Sequence, residues 1–365
     1  MVEYAKYELK NVCSRLSSGK SISSKMISEE GRYPVYGGNG LRGYTDHSNF
    51  SGDCAIIGRQ GAFCGNVRYF CGEAYMTEHA VIVCANNLNN THYLAYLLST
   101  MNLGRLSGQS AQPGLSVKTL GIQEIMLPSI EYQNKVVALL SSLDEKIAVN
   151  NNINDNLQQQ AAALFANFYD QAETEVGFTE MIQILGGGTP KTGESSYWNG
   201  DIPFFTPKDV GFPYTLTTEK TITEEGLAHC NSRLYPINTV FVTARGTVGK
   251  VGLPGVPMAM NQSCYALVGK DTHQLLVYFY TLKAVDRLKH KASGAVFDAI
   301  TTRDFEAENI MKLSDDDTKA FLDVAEPIYQ AVLNNSIENL RLSELRDSLL
   351  PKLMNGEIDV TDIRL

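Results

Sequence analysis

The stretch Tyr132-QNKVVALLSSLDEKIAVNNNINDNLQQQAAALFAN-Phe168 decides the fold. Apolar or small residues recur at alternating spacings of four and three: Val136, Leu140, Leu143, Ile147, then Leu157, Ala161, Leu164 and Phe168. Asn150 and Asn154 occupy the same register in the middle, and neither Pro nor Gly interrupts the run. A seam of period 3.5 kept this long predicts a coiled-coil helix. At 1.5 Å per residue it is about 55–60 Å long, more than a small domain needs to cover its core.

The pattern recurs 185 residues later as Phe321, Ala325, Ile328, Val332, Asn335, Asn339, Leu342, Arg346, Leu349 and Leu353. Any amphipathic helix has an apolar seam; the same polar interruption at a constant offset points to a copy. Landmarks before each helix agree. Leu16 and Gly19 match Leu185 and Gly188, and Tyr33–Tyr36 matches Ile202–Phe205. Ile57-Gly-Arg59-Gln60-Gly61 matches Thr243-Ala-Arg245-Gly246, and Gly65-Asn-Val67 matches Gly249-Lys250-Val251. Tyr75-Met76 matches Ala259-Met260, and Ile125-Met126 matches Ile310-Met311. The offset begins at 169 and rises to 184–186, which one insertion of about 15 residues between Phe205 and Arg245 would explain.

The expected plan is a tandem duplication of mixed α/β (α+β) heads and long helices. A first head spans 1–128, a central helix 129–170, a second head 171–313 and a C-terminal helix 314–365. In the first head, strands are expected at 33–36, 54–58, 67–70, 79–84 and 122–127, with a helix at 91–101. If the helices pack antiparallel their midpoints meet, and Asn150 and Asn154 fall beside Asn335 and Asn339 in a polar layer suited to fixing register.

Composition narrows the function. The 365 residues include no run of 18 apolar residues, so no transmembrane helix is expected. The N-terminus lacks a hydrophobic signal core. Seven cysteines without a CxxC pair suggest reduced thiols and a cytoplasmic setting, neither a disulfide frame nor a zinc site. The net charge of −9 is unevenly spread: residues 1–130 carry +2, 131–170 carry −3, 171–313 carry −2 and 314–365 carry −6. The helices hold most of the acidity, leaving the heads near neutral and open to a local basic face.

No catalytic constellation is visible. Ala244-Arg-Gly-Thr247-Val-Gly-Lys250-Val251 departs twice from a phosphate-cradling loop, with Ala244 for the first Gly and Val251 for Ser/Thr. No HExxH, GxSxG or glycine-rich cofactor fingerprint occurs, the six histidines lack ligand spacing, and no metal or cofactor is expected. Side chains that can read base edges do cluster at glycine-rich turns. In the first head these are Asn39, Arg42, Arg59, Gln60, Gln109 and Gln112; in the second, Lys191, Lys208, Arg245, Asn261 and Gln262. A basic run of Lys283, Arg287, Lys289, His290 and Lys291, then Arg303, reads either as a solvated helix face or as a phosphate contact. The residues alone suggest a non-enzymatic protein with two related binding heads.

At these residues the chain resembles the specificity (S) subunit of type I restriction–modification systems. The second head carries GGGTPKTGESSYWNGDIPFFTPKDV (186–210), TARGTVGKVG (243–252), MNQSCYAL (260–267) and SGAVFDAITTRDFE (293–306). The first carries YGGNGLRGYTD (36–46), IIGRQGAFCGNV (56–67) and GLSVKTLGIQEIMLP (114–128), and the closing SLLPKLMNGEI (348–358) is characteristic. The first head has Ser18-Gly-Lys-Ser21 where the second has Gly-Thr-Pro-Lys. The resemblance implies two target recognition domains, each reading half of a split double-stranded DNA sequence. It also implies that the antiparallel helices set the unread spacer and dock methyltransferase (M) subunits, with restriction (R) subunits joining them. S-adenosylmethionine would bind the M subunits. The competing reading is a duplicated coiled-coil adaptor whose heads bind protein or glycan.

Overall fold

A computed structural model describes residues 2–107, 114–211, 213–291 and 299–361. The chain divides into two compact units, one of residues 1–145 with 342–365 and the other of residues 146–341.

The first unit is built on strands β1 (Ala5–Glu8), β2 (Cys13–Ser18), β3 (Tyr33–Gly37), β4 (Gly40–Thr45), β5 (Phe50–Gly58), β6 (Val67–Met76), β7 (Ala80–Ala85) and β8 (Glu124–Leu127). Helices α1 (Thr91–Thr100) and α2 (Val117–Gly121) lie between β7 and β8, and α3 (Ile130–Gln171) follows. Six strands form a sheet in the order β2-β7-β5-β6-β3-β4, and β1 pairs separately with β8. The β6–β3 pair is parallel. The helices start where short polar side chains satisfy free N–H groups: Asn90 accepts from Tyr93 N, and Ser116 from Thr119 N. Leu9, Ile57, Val83, Tyr93, Leu94 and Leu98 form the core with Val136 and Leu140 of α3 and with Leu353, Met354 and Val360.

The second unit repeats this plan. Its elements are β9 (Thr174–Gly177), α4 (Phe178–Met181), β10 (Ile182–Gly186), β11 (Trp198–Phe205), β12 (Tyr214–Thr215), β13 (Thr221–Ile222), α5 (Glu224–Ala228), β14 (Val240–Thr243) and β15 (Val251–Pro254). Then come β16 (Ala259–Met260), β17 (Cys264–Gly269), α6 (Gln274–Lys291), α7 (Thr302–Glu306), β18 (Asn309–Lys312) and α8 (Asp315–Met354). Pairing registers show the copying directly. Val35 and Tyr36 face Tyr75 and Met76 in a parallel pair; Phe204 and Phe205 face Ala259 and Met260 in another. Tyr7 faces Ile125 as Val176 faces Ile310.

Three details differ from the expectation or extend it. The extra residues of the second head lie in two places instead of one: between Pro203 and its strand partner Thr221, where Pro34 reaches Tyr44 sooner, and between Thr221 and Arg245, where α5 is added. The unbroken strand β6 is split into β15 and β16 around Gly255-Val-Pro-Met258, where Pro257 has no N–H for a ladder. As a result the second unit has a five-stranded and a three-stranded sheet in place of one six-stranded sheet. Finally, α8 continues through Pro327, which removes one helical bond from its exposed face. Tertiary burial of Ala325, Tyr329 and Val332 on the other face outweighs that loss.

Within the second unit α3 and α8 meet antiparallel at a polar layer. Asn150 donates from Nδ2 to Asn339 Oδ1 (2.9 Å) and Glu338 Oε2 (2.8 Å). Asn335 donates to Asn154 Oδ1 (2.8 Å), and Asn339 to Asn151 Oδ1 (2.9 Å). The Asn150 bond, helped by Lys146 at 3.4 Å, holds the Glu338 carboxyl below its ordinary range. Replacing Asn150, Asn154, Asn335 and Asn339 together with Leu is expected to raise resistance to denaturant while admitting slipped or oligomeric helix pairings. Denaturant melts and sedimentation check this; a monomer with unchanged register contradicts a register role for the layer.

Candidate nucleic-acid interface

In each unit, loops that follow four strands converge. In the first, Lys20 N donates to Met76 O (2.9 Å), Thr77 N to Tyr36 O (2.9 Å) and Arg59 N to His79 O (3.0 Å). In the second, Gly188 N donates to Met260 O (3.1 Å), Asn261 N to Phe205 O (2.9 Å) and Ala244 N to Ser263 O (2.8 Å). The same backbone scaffold thus gathers the segments after β2, β3, β5 and β6, and after β10, β11, β14 and β16.

These bonds correct two pairings made from sequence. A Cβ on Gly19 would lie 2.2 Å from Met76 O, and one on Gly187 2.1 Å from Asn261 O and 2.7 Å from Met260 O. The close backbone approach therefore makes Gly187, not Gly188, the counterpart of Gly19. Arg59 shares its bonds with Ala244, because Leu115 N donates to Arg59 O as Ile300 N donates to Ala244 O. Gln60 bridges Gly114 as Arg245 bridges Ala299. The counterpart of Arg245 is Gln60, not Arg59.

The candidate side chains sort accordingly. Asn39 and Arg42 are exposed on the β3–β4 hairpin. Arg59 is half-buried, its Nη1 directed to Ser18 Oγ (3.4 Å) and Glu78 O (3.5 Å). Gln60 is exposed, with Oε1 3.0 Å from His79 Nδ1. Gln109 and Gln112 lie outside the described residues. In the second unit Lys191, Arg245, Thr247, Lys250 and Gln262 are exposed and Asn261 is half-buried. Thr247 Oγ1 donates to Pro207 O (3.2 Å), tying the β14–β15 loop to the one carrying Lys208, whose ammonium lies 3.7 Å from Glu219. Thr189 donates to Gln262 Oε1, and the Lys289 stem packs against Gly249, bringing α6 into the cluster. Burial pushes the nearby Cys264 thiol up to about 12, keeping it protonated.

The basic run divides. Lys291 pairs with the carboxylate of Glu308, which is only 2% exposed. Arg287 donates to Asn309 O (2.8 Å) and Tyr169 Oη (2.9 Å), and Lys283 lies over the Tyr169 ring. These three hold α6 to its own unit, while Arg303 is exposed on α7. Sequence reasoning missed Arg68, whose guanidinium lies against Gly40 and opposes the burial that raises the Tyr36 hydroxyl. Arg68 pairs with Ile56 in the antiparallel β5–β6 ladder, and no local pattern announces its approach to Gly40. Lys291→Ala is expected to lower stability by about 1–3 kcal/mol, since it strands a buried carboxylate. Adding Glu308→Gln should recover much of it in denaturant melts; an unchanged single variant would mark the pair as incidental.

Among the described residues there is no group of three or more His, Cys, Asp or Glu able to hold a metal ion, and no helix long and apolar enough to cross a membrane. The model of the type I restriction modification DNA specificity domain matches residues 1–159 and 174–312. The EcoprrI specificity subunit of Escherichia coli is 40% identical over 134 residues, 36% of this chain and 33% of that protein. The HindI specificity subunit of Haemophilus influenzae is 24% identical over 327 residues, 67% of this chain and 71% of that protein. The MjaIX specificity subunit of Methanocaldococcus jannaschii is 32% identical over 124 residues, 32% of this chain and 29% of that protein. The chain thus spans about a third of EcoprrI and of MjaIX and over two thirds of HindI. The crystal structure of a type I restriction–modification S subunit from M. genitalium shares the fold, with a TM-score of 0.63, 15% identity and 96% of each chain covered. Two matched segments, the first ending within α3 and the second just before α8, and specificity subunits among the relatives agree: this chain belongs to the type I restriction–modification DNA specificity family.

Proposed function

We propose that the chain is the DNA-recognition subunit of a type I restriction–modification complex and is itself non-catalytic. One observation carries the reading: the two loop clusters share a backbone scaffold but differ in the side chains they expose. A protein that reads two unlike half-sites needs that combination, a common docking frame with variable tips. Residues 1–128 and 171–313 act as target recognition domains. Arg245, Lys250 and Lys289 of the second, and Arg42, Gln60 and Arg68 of the first, supply base-edge or phosphate contacts.

The long helices dock M subunits and set the spacer between half-sites. Exposed apolar side chains on α3 support a docking role: Val149 and Ile153, one turn apart, are 50% and 42% exposed. R subunits join the M subunits, which bind the methyl donor, in the cytoplasm. With a net charge of −9 the chain alone holds DNA weakly, and its partners supply much of the positive surface.

The test is methylation profiling of DNA from cells expressing this chain with an M subunit. Methylation at one split motif, absent without the chain, is expected. Exchanging residues 171–313 for those of another specificity subunit should change one half of the motif only. Failure to direct methylation, with M bound and active, would overturn the assignment.

A further inference from the structure

We infer that Gln60 and Arg245 are equivalent base-reading positions, one per loop cluster, Arg245 for a guanine and Gln60 for an adenine, while Arg59 is a positioning residue. This rests on the DNA-recognition reading above and deepens it.

The equivalence is geometric. Arg59 and Ala244 each donate backbone N–H into the next loop, to His79 O and Ser263 O, and each accepts from the segment that enters the following short helix, Leu115 N and Ile300 N. The residues after them bridge Gly114 and Ala299. All of these pairs stand 185 or 184 apart. Successive side chains of extended backbone point to opposite sides. Arg59 therefore shares its direction with Ala244, which is 3% exposed, and it spends its guanidinium on Ser18 Oγ and Glu78 O. Gln60 and Arg245 point the other way and are exposed.

Each is followed by a glycine in the left-handed region, Gly61 (φ +75°) and Gly246 (φ +84°). Among the described residues, chain neighbours aside, nothing lies within 4 Å of where a Cβ on Gly61 would stand, and around Gly246 only Pro207 Cβ does, at 3.8 Å. The chain thus turns away directly after the reading side chain and leaves room for a duplex to approach the backbone. Arg245 makes no ion pair among the described residues, so its fork of donors is open to the N7 and O6 of guanine. Gln60 offers a donor and an acceptor on one planar amide, matching N7 and N6 of adenine. His79 Nδ1, 3.0 Å from Oε1, restrains that amide, and the second lone pair of the oxygen stays free.

The experiment profiles methylated motifs for the full chain with its M subunit, unaltered and as Gln60→Ala, Arg245→Ala and Arg59→Ala. Arg245→Ala should make one guanine of one half-site degenerate and lower modification of the original site about 10–100-fold. Gln60→Ala should do the same to one adenine of the other half-site. Arg59→Ala should lower the melting temperature and leave every position of the motif intact. Each variant is first shown to co-purify with M. If one does not, Arg245→Gln or Gln60→Arg, which keep a long polar side chain, replaces it and should shift the base preference. An unchanged motif in the Gln60 and Arg245 variants, or a base relaxed by Arg59→Ala, overturns the inference. An unaltered chain that directs no methylation overturns the DNA-recognition reading instead.

Discussion

Neither head closes its core without the long helices. Phe165 of α3 packs against Phe279 (centroids 4.9 Å), Tyr280 (5.6 Å) and Phe321 (5.5 Å), so helix and head share one aromatic cluster. In the first unit Val136, Leu140 and Leu353 fill the same role against the strands and α1. A fully buried side chain of this size contributes about 1.5–3 kcal/mol. The helices are therefore structural walls of the heads, and a separated head would expose an apolar face. The loop clusters stand at the ends of sheets anchored this way.

The acidic charge sits mostly on the helices, where Asp144 accepts from Tyr96 (2.5 Å) and pairs with Arg346 (2.6 Å). That contact replaces an apolar seam position: Arg346 stands where the first helix has Ala161. Together with the asparagine layer it gives the paired helices side chains that satisfy one another in a single alignment. Helix register matters because the heads are built onto these helices, and a slipped register would break both cores.

Much of this was legible in the sequence. The seam of period 3.5, its polar interruption and the copy 185 residues later anticipated α3, α8 and the duplication of the heads. The strands around 33–36, 54–58 and 79–84 also appear, although β5 begins at Phe50 and runs through Gly52 instead of starting after it. Finer placement was not legible. Arg59 and Arg245 look alike as letters, but hydrogen-bond register, not identity, decides equivalence, and it pairs Arg245 with Gln60. The split insertion was hidden because an offset counts residues without saying where they enter. Lys291 could be read as a solvated or a phosphate-contacting side chain because its buried partner Glu308 lies 17 residues on, beyond the end of α6. Arg68, paired with Ile56 in the β5–β6 ladder, meets Gly40 of β4 through tertiary folding that no local pattern encodes.

The central claim is that the strand-end loop cluster of each head faces DNA. Site-specific photo-crosslinking in the complex with M and cognate duplex tests it most directly. A crosslinking residue placed at Asn39 and one at Thr247 should each attach to bases of a different half-site. One placed at Leu88, exposed at the opposite end of the β2–β7 pair, should attach to none. Crosslinks from Leu88, with none from Asn39 or Thr247, would contradict the account.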